Sequence, residues 1–169
     1  MMKLFVINGH NQVGKDTFVN MISDIATQHQ KTIVNYSTVD YVKYIAGLFG
    51  WEGEKDNKSR KMLSQLKDML TEWRDIPYTK CCQEISYWAY GDAAAMFIHC
   101  REPEEIKRFV KDYNATTILV ERNNVEQCLS NHADKNVLNY NYDIIINNSR
   151  GLTELEEEAK IFYDTFIKD

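Results

Sequence analysis

The feature that most constrains the fold is a glycine- and lysine-containing segment that lies between an apolar run and an amphipathic stretch. Residues 9–17 read GHNQVGKDT and fit the G-x-x-x-x-G-K pattern of a phosphate-binding loop. The continuous apolar run at residues 4–7 is typical of a strand covered on both faces. Phe18, Ile22 and Ile25 then follow a helical period. Strand, loop and helix in this order favour a phosphate site over a glycine-rich turn without function.

The residue types in this segment suit a triphosphate. Gly9 and Gly14 permit backbone angles that turn successive N–H groups inward, and the helix N-terminus adds a positive dipole end. Lys15 supplies a mobile cation for the outer phosphates. The hydroxyl that usually follows the lysine holds Mg²⁺, but Asp16 stands there and Thr17 comes next. The predicted ATP site of the loop comprises Gly9, Asn11, Val13, Gly14, Lys15, Asp16 and Thr17. Mg²⁺ is the predicted cofactor, with Asp16 and Thr17 as its candidate ligands. Alternatively, Asp16 only caps the helix or places a favourable negative charge at its start.

The rest of the chain alternates strands with helices. Further strands are predicted at residues 32–37, 94–98, 116–120 and 142–146. The clearest helix is predicted over residues 58–73, where apolar side chains recur at helical spacing: Met62, Leu63, Leu66, Met69, Leu70 and Trp73. This alternation predicts an α/β fold with a five-stranded parallel sheet, helices on both faces in three layers, and the first strand at the centre. We expect residues 1–169 to form one domain.

Composition excludes several classes of partner. The net charge is −5 and the pI is near 5.4, which argues against a broad electrostatic grip on nucleic acid. No apolar stretch approaches the roughly 20 residues of a membrane span, and the first residues run directly into the loop motif, so we expect a cytoplasmic protein that binds no membrane. The four cysteines suggest free thiols rather than a metal site. The oligomeric state stays open, with a homodimer as one arrangement.

Several segments, in chain order, resemble P-loop kinases of small molecules, especially viral-type deoxynucleoside monophosphate kinases. Gly-Lys-Asp-Thr follows the first strand, and animal-type phosphomevalonate kinases share its Gly-Lys-Asp variation. RKMLSQL at residues 60–66 looks like the family's Arg-x-x-Leu-Gln-x-Leu segment in the monophosphate region. IHCREPEE at residues 98–105 looks like the strand-end Asp-Val-Arg-Phe-Pro-Asn-Glu segment. VER at residues 120–122 matches a strand that ends in a lid arginine, and residues 143–155 resemble the closing strand, the Asn-rich adenine-side loop and the last helix.

The resemblance implies a P-loop NTPase-type fold and roles for particular residues. It assigns Arg60 and Arg101 to the acceptor, Arg122 to the lid and to ATP, and Asn148 to the adenine side. It also implies a helical acceptor-binding region at about residues 38–91 and a small lid at about residues 122–140. One departure is His99, which stands where the family has an aspartate that helps to hold Mg²⁺.

The positions of these side chains support some roles and leave others open. Arg101 and Arg122 follow predicted strands, where parallel α/β sheets bind ligands, and with Lys15 they are the candidate catalytic cations; Arg101 could instead pair with Glu104 or Glu105. Asp134 could orient Arg122, or belong to a solvated loop.

Other candidates for the acceptor lie earlier in the chain. Ser37 and Asp40 could contact the acceptor, although helix capping would also explain them. The basic stripe of Arg60, Lys67 and Arg74 could line the acceptor cleft or cover the edges of the core.

Three functions remain open on the sequence. The first is ATP-dependent phosphoryl transfer to a nucleoside or deoxynucleoside monophosphate. The second keeps the kinase chemistry with another acceptor, such as dephospho-coenzyme A or phosphomevalonate. The third is a nucleotide-binding protein with little catalysis, which His99 favours. In each case the partners are small-molecule nucleotides.

Overall fold

The computed structural model describes residues 1–122 and 136–169, and within them the strands form one parallel sheet. The strands are β1 (Lys3–Asn8), β2 (Ile33–Ser37), β3 (Ala95–His99), β4 (Thr116–Glu121) and β5 (Ile144–Asn147). Their spatial order is β2-β3-β1-β4-β5, with every pair parallel. The prediction of a five-stranded parallel sheet with the first strand at its centre is therefore confirmed.

Helices cover both faces of the sheet, as the sequence predicts. They are α1 (Lys15–Gln28), α2 (Asp40–Leu48), α3 (Asn57–Arg74), α4 (Ile76–Tyr90), α5 (Pro103–Tyr113) and α6 (Leu152–Phe166). Side chains alternate between the two faces of a strand, so Phe5 and Ile7 pack with α1 and α6 in one core. Leu4 and Val6 pack with α4 and α5 in the other. Burial on both faces is the reason that β1 reads as a continuous apolar run.

The register of the sheet brings the ends of three strands together. Ile7 on β1 and Ser37 on β2 both pair with His99 on β3. Because parallel strands end at the same edge, the residues that follow β1, β2 and β3 converge there. This edge carries the phosphate-loop segment.

The helix that is clearest in the sequence is less buried than its pattern predicts. Of its predicted inward positions, Leu70 is buried, but Met69 is exposed and the Trp73 side chain is 66% exposed. Packing of Trp73 into the core was a wrong expectation. The physical reason is that α3 packs chiefly against α2 and α4 rather than on the sheet, so part of its apolar stripe stays uncovered. Its N-terminus is capped by Asp56, whose side chain accepts a hydrogen bond from the Ser59 amide.

In the described ranges, 1–122 and 136–169, no helix combines the length and the apolar character that a membrane crossing requires.

Candidate functional site

The loop between β1 and α1 takes the shape that its glycines predict. Gly9 has φ 147° and Gly14, the N-cap of α1, has φ 97°, both in the region that favours glycine. A Cβ on Gly9 would lie 2.4 Å from the backbone oxygen of Val120, and one on Gly14 would lie 2.4 Å from Nδ2 of Asn148. Both positions therefore require glycine for close approach as well as for backbone angle.

Lys15 is held over the loop that it follows. Its ammonium donates hydrogen bonds of 2.7 Å to the carbonyl of Gly9 and 2.7 Å to that of His10. Its position as the first residue of α1 places this cation beside the positive end of the helix. A phosphate bound at the loop would meet the ammonium and the helix N-terminus together.

Two asparagines brace the loop from either end. The Asn148 side chain is buried and donates to the carbonyl of Val13 at 2.9 Å. Asn8, fully buried at the end of β1, accepts a 2.8 Å hydrogen bond from the Gly9 amide. Asn148 thus contacts the ATP-site loop itself, and its contact with the adenine side stays a prediction. Sequence reasoning missed Asn8, although a polar residue that ends an apolar strand was a usable signal.

A single cleft of about 630 Å³ opens beside the loop and collects most of the predicted site. Its wall includes predicted residues from the loop, from the ends of β2 and β3, and from α3: Asn11, Lys15, Asp16, Ser37, Asp40, Arg60 and Arg101. The other predicted residues do not form its wall: Gly9, Val13, Gly14, Thr17, Arg122 and Asn148. Five of these six belong to the loop or brace it, so the predicted ATP-site residues that do not line the cleft lie mostly next to those that do.

Arg101 reaches the loop from the strand next to β1. Its guanidinium donates a 2.6 Å hydrogen bond to Oδ1 of Asn11, across 90 positions of sequence. Arg101 comes two residues after β3 ends, so the sheet edge sets its position. The predicted alternative, a salt bridge to Glu104 or Glu105, is not the contact that the structure shows for those residues: Glu104 pairs with Lys107 and Glu105 with Lys67.

Ser37 and Asp40 form a turn that also lines the cleft. Asp40 accepts a 2.8 Å hydrogen bond from the Ser37 amide and a 3.1 Å hydrogen bond from the Lys43 ammonium. The N-cap of α2 is Val39, whose amide donates to the Ser37 hydroxyl oxygen at 3.4 Å. The two side chains therefore stabilise the turn before α2 while they line the cleft, so the capping role and the predicted acceptor role are compatible.

His99 lies at the floor of the cleft as a neutral imidazole. Its Nε2 is buried and has no hydrogen-bond partner within the described protein, and it lies 3.7 Å from Oδ1 of Asp16. Burial lowers the pKa of His99 to about 4, against the attraction of Asp16. At neutral pH this group therefore adds neither a charge nor the oxygen ligand that Mg²⁺ prefers.

The residues present fit a magnesium ion that keeps much of its water. Among residues 1–122 and 136–169, no three acidic, histidine or cysteine side chains cluster as a metal site. The Asp16 side chain is 81% exposed and faces the cleft. Mg²⁺ is commonly bound by one or two carboxylates together with water and substrate phosphates. Asp16 can serve as that carboxylate, whereas Thr17 is half-buried and is not part of the wall of the cleft.

Lys67 lines the cleft, the first of its two predicted roles, and forms a largely buried ion pair instead of covering the edge of the core. Its ammonium lies 2.9 Å from Oε2 of Glu105 on α5. The Cys100 thiol donates to the same oxygen at 3.4 Å. Burial opposes the charged form of Lys67, but Glu105 outweighs it and raises the lysine pKa above its ordinary value. The pair therefore joins α3 to α5. Arg74 does not share it: its guanidinium carbon lies 5.1 Å from the centroid of the Trp73 ring.

Arg122 is exposed and directly follows β4. The predicted lid at residues 122–140 falls largely on residues 123–135, which lie outside the described residues, as does Asp134. The roles of Arg122 toward ATP and toward the transferred group stay predictions.

No protein-family model matches the sequence, and no curated protein matches it. Among solved structures, a protein assigned as a kinase from Chloroflexus aurantiacus superposes with a TM-score of 0.53 at 13% identity, covering 98% of this chain and 97% of the other. The chain shares the fold of that protein.

Two further solved structures have lower scores. The shikimate kinase of Aquifex aeolicus gives a TM-score of 0.48 at 16% identity, over 95% of this chain and 96% of the other. The APS kinase CysC of Mycobacterium tuberculosis gives 0.46 at 12% identity, over 97% and 98%.

Proposed function

We propose that this protein is an ATP-dependent phosphotransferase whose acceptor is a nucleoside or deoxynucleoside monophosphate. The observation that carries the proposal is the shared cleft, whose wall includes Lys15 of the phosphate loop together with Arg60 and Arg101. A kinase must neutralise phosphates on both sides of the transferred group, because the charge of the transition state spreads over its oxygens. Cations from the loop, a strand end and α3 around one cleft suit that requirement.

The donor side is the loop itself. The inward backbone amides of the loop and the N-terminus of α1 would hold the phosphates of ATP, and Lys15 would move from the loop carbonyls onto the outer phosphates. Asp16 would hold Mg²⁺ through water, and either Thr17 or phosphate oxygens would complete the shell; the absence of Thr17 from the wall of the cleft favours the phosphates. When bound, Mg²⁺ supplies charge neutralisation at the β- and γ-phosphates.

The acceptor side lies between the end of β3 and α3. Arg101, which is hydrogen-bonded to Asn11, would bind the acceptor phosphate next to the loop. Arg60 of α3 and Ser37, the last residue of β2, line the same cleft. An oxygen of the acceptor phosphate would attack the γ-phosphorus of ATP while the bond from that phosphorus to the bridging oxygen of ADP breaks. The products are ADP and a nucleoside diphosphate.

A second candidate function is nucleotide binding with little catalysis. His99 favours it, because a buried neutral imidazole stands where the resembling kinases have a carboxylate. In this case ATP would bind at the loop as proposed, and turnover would be slow with every acceptor.

A screen of acceptors with a coupled assay for ADP release tests the proposal. The purified protein, ATP and Mg²⁺ would be combined in turn with each common ribonucleoside and deoxynucleoside monophosphate, and with dephospho-coenzyme A and phosphomevalonate. The Lys15→Ala variant is the matched control for contaminating kinases. Turnover with a monophosphate that is absent in the variant supports the proposal. Turnover only with the other acceptors contradicts the acceptor class, and ATP binding without turnover supports the second candidate.

A further inference from the structure

A chain of partly buried hydrogen bonds connects the end of β1 to the segment before β5. The Asn8 side chain donates from Nδ2 to the Tyr142 hydroxyl oxygen at 2.7 Å. That hydroxyl donates in turn to the carbonyl of Val137 at 2.7 Å. Asn8 and Val137 are fully buried. The Tyr142 hydroxyl thus uses both of its capacities, as donor and as acceptor.

The orientation of the Asn8 carboxamide follows from its neighbours. The Gly9 amide is a donor, so the oxygen atom of Asn8 must face it, which it does at 2.8 Å. The nitrogen atom then faces Tyr142 and, at 3.4 Å, the carbonyl of Arg101. Burial raises the pKa of the Tyr142 hydroxyl to about 12, so at neutral pH it keeps the proton that it donates to Val137.

Asn8 therefore contacts the backbone at two points beside the cleft. Its oxygen atom fixes the amide of Gly9, where the phosphate loop begins, and its nitrogen atom contacts the backbone of Arg101, the candidate acceptor residue. The Arg101 guanidinium in turn donates a hydrogen bond to Asn11 of the same loop. Neither Asn8 nor Tyr142 forms the wall of the cleft, so any effect on substrates acts through Gly9 and Arg101.

We propose that the Asn8 carboxamide and the Tyr142 hydroxyl form a positioning pair that sets the phosphate loop and Arg101 relative to each other. The inference rests on the proposed function, since it assigns the pair to the same donor and acceptor site. It differs from a purely structural role in one respect: loss of the pair changes the affinity for substrate in molecules that remain folded.

The test is the Tyr142→Phe variant, which removes one hydroxyl and keeps the ring. The Asn8 carboxamide then loses the hydroxyl that it donates to at 2.7 Å. Without that partner its orientation is less fixed, and so are its contacts with Gly9 and Arg101. The expected result is a dissociation constant for Mg·ATP, measured by calorimetry, that rises about 5- to 10-fold, on the order of one hydrogen bond. The binding stoichiometry should stay that of the parent. If the screen has found a monophosphate acceptor, its KM should rise as well.

Tyr140→Phe is the matched control. The Tyr140 ring packs on that of Tyr142, with centroids 5.1 Å apart, but its hydroxyl is not part of the chain of hydrogen bonds. This variant should bind Mg·ATP like the parent. Equal effects of the two substitutions, or a Tyr142→Phe variant with parental affinity, would overturn the proposal. A lower stoichiometry at unchanged affinity would overturn it too, because that result indicates unfolding rather than positioning.

A double-mutant cycle with Asn8→Ala tests whether the two residues act as a unit. If they do, adding Tyr142→Phe to Asn8→Ala weakens binding no further. A full additional loss in the double variant would show that Tyr142 acts independently and would contradict the pair. If the unsubstituted protein binds Mg·ATP but phosphorylates no acceptor, the proposed function is wrong, and the effect of Tyr142→Phe on Mg·ATP affinity can still be measured. A parent that does not bind Mg·ATP overturns both.

Discussion

Replacing Glu105 by glutamine should destabilise the protein far more than the same change at its neighbour Glu104. Glu105 is paired with Lys67 at 2.9 Å, and the two side chains are 11% and 16% exposed. Glu104 is paired with Lys107 at 2.6 Å, but these side chains are 82% and 59% exposed. The two substitutions are chemically identical and adjacent in sequence, so burial is the main difference between them.

The magnitude follows from the ammonium that is left behind. Removing one partner of a buried ion pair costs about 3–5 kcal/mol, because the other charge stays buried without compensation. Glutamine keeps one oxygen that can accept from Lys67, which lowers the expected loss for Glu105→Gln to about 2–3 kcal/mol. In a domain of this size that corresponds to a fall in melting temperature of about 4–12 °C. An exposed pair is worth at most about 1 kcal/mol, so Glu104→Gln should cost about 0.5 kcal/mol or less.

Urea unfolding at pH 7 measures both losses as shifts in midpoint at constant m-value. The pKa of Lys67 is raised in the folded protein. The stability that its charged form contributes is therefore fully present below the ordinary lysine pKa of 10.5, and it is lost as pH rises through the pKa of the folded state. The assay at pH 7 therefore measures the charged lysine. Equal losses in the two variants would refute the reasoning. The double variant Lys67→Met/Glu105→Leu should recover much of the loss, because it removes both charges.

Three further predictions concern the site. Lys15→Ala should leave stability within about 1 kcal/mol while it lowers turnover by orders of magnitude, as unfolding and ADP-release assays would show; normal turnover would remove the basis of the loop assignment. Arg101→Ala should chiefly raise the acceptor KM and Arg122→Ala should chiefly lower kcat, and identical kinetic defects would refute this division. Asp16→Asn should weaken the Mg²⁺ dependence of the rate and slow turnover, while His99→Asp should preserve or raise activity; a Mg²⁺ titration of Asp16→Asn that matches the parent would show that this carboxylate has no role at the metal.

The fold and the loop could be predicted because local patterns determine them. The apolar run of β1 is buried on both faces, so its composition alone indicates a central strand. Gly9 and Gly14 are fixed by backbone angle and by close approach, which are constraints that a sequence motif records directly. The position of Arg101 after β3 was predictable for a similar reason, since parallel strands end at one edge.

The partners of charged and polar side chains could not be predicted in the same way. Lys67 has the spacing of a helix-surface residue, and only the packing of α3 beside α5 brings it to Glu105. Trp73 has the spacing of a core residue, but α3 packs on other helices rather than on the sheet and leaves it exposed. Asn8 and Tyr142 are 134 positions apart, so no local pattern records their contact.

The central claim is that the cleft transfers the γ-phosphoryl group of ATP to a monophosphate bound beside the phosphate loop. Incubation with ATP labelled at the γ-phosphate, followed by separation of the products, tests it most directly. The account predicts label in a nucleoside diphosphate, formed with an equal amount of ADP, and none with the Lys15→Ala variant. Label found only in inorganic phosphate, or the same labelled diphosphate with Lys15→Ala, would contradict it.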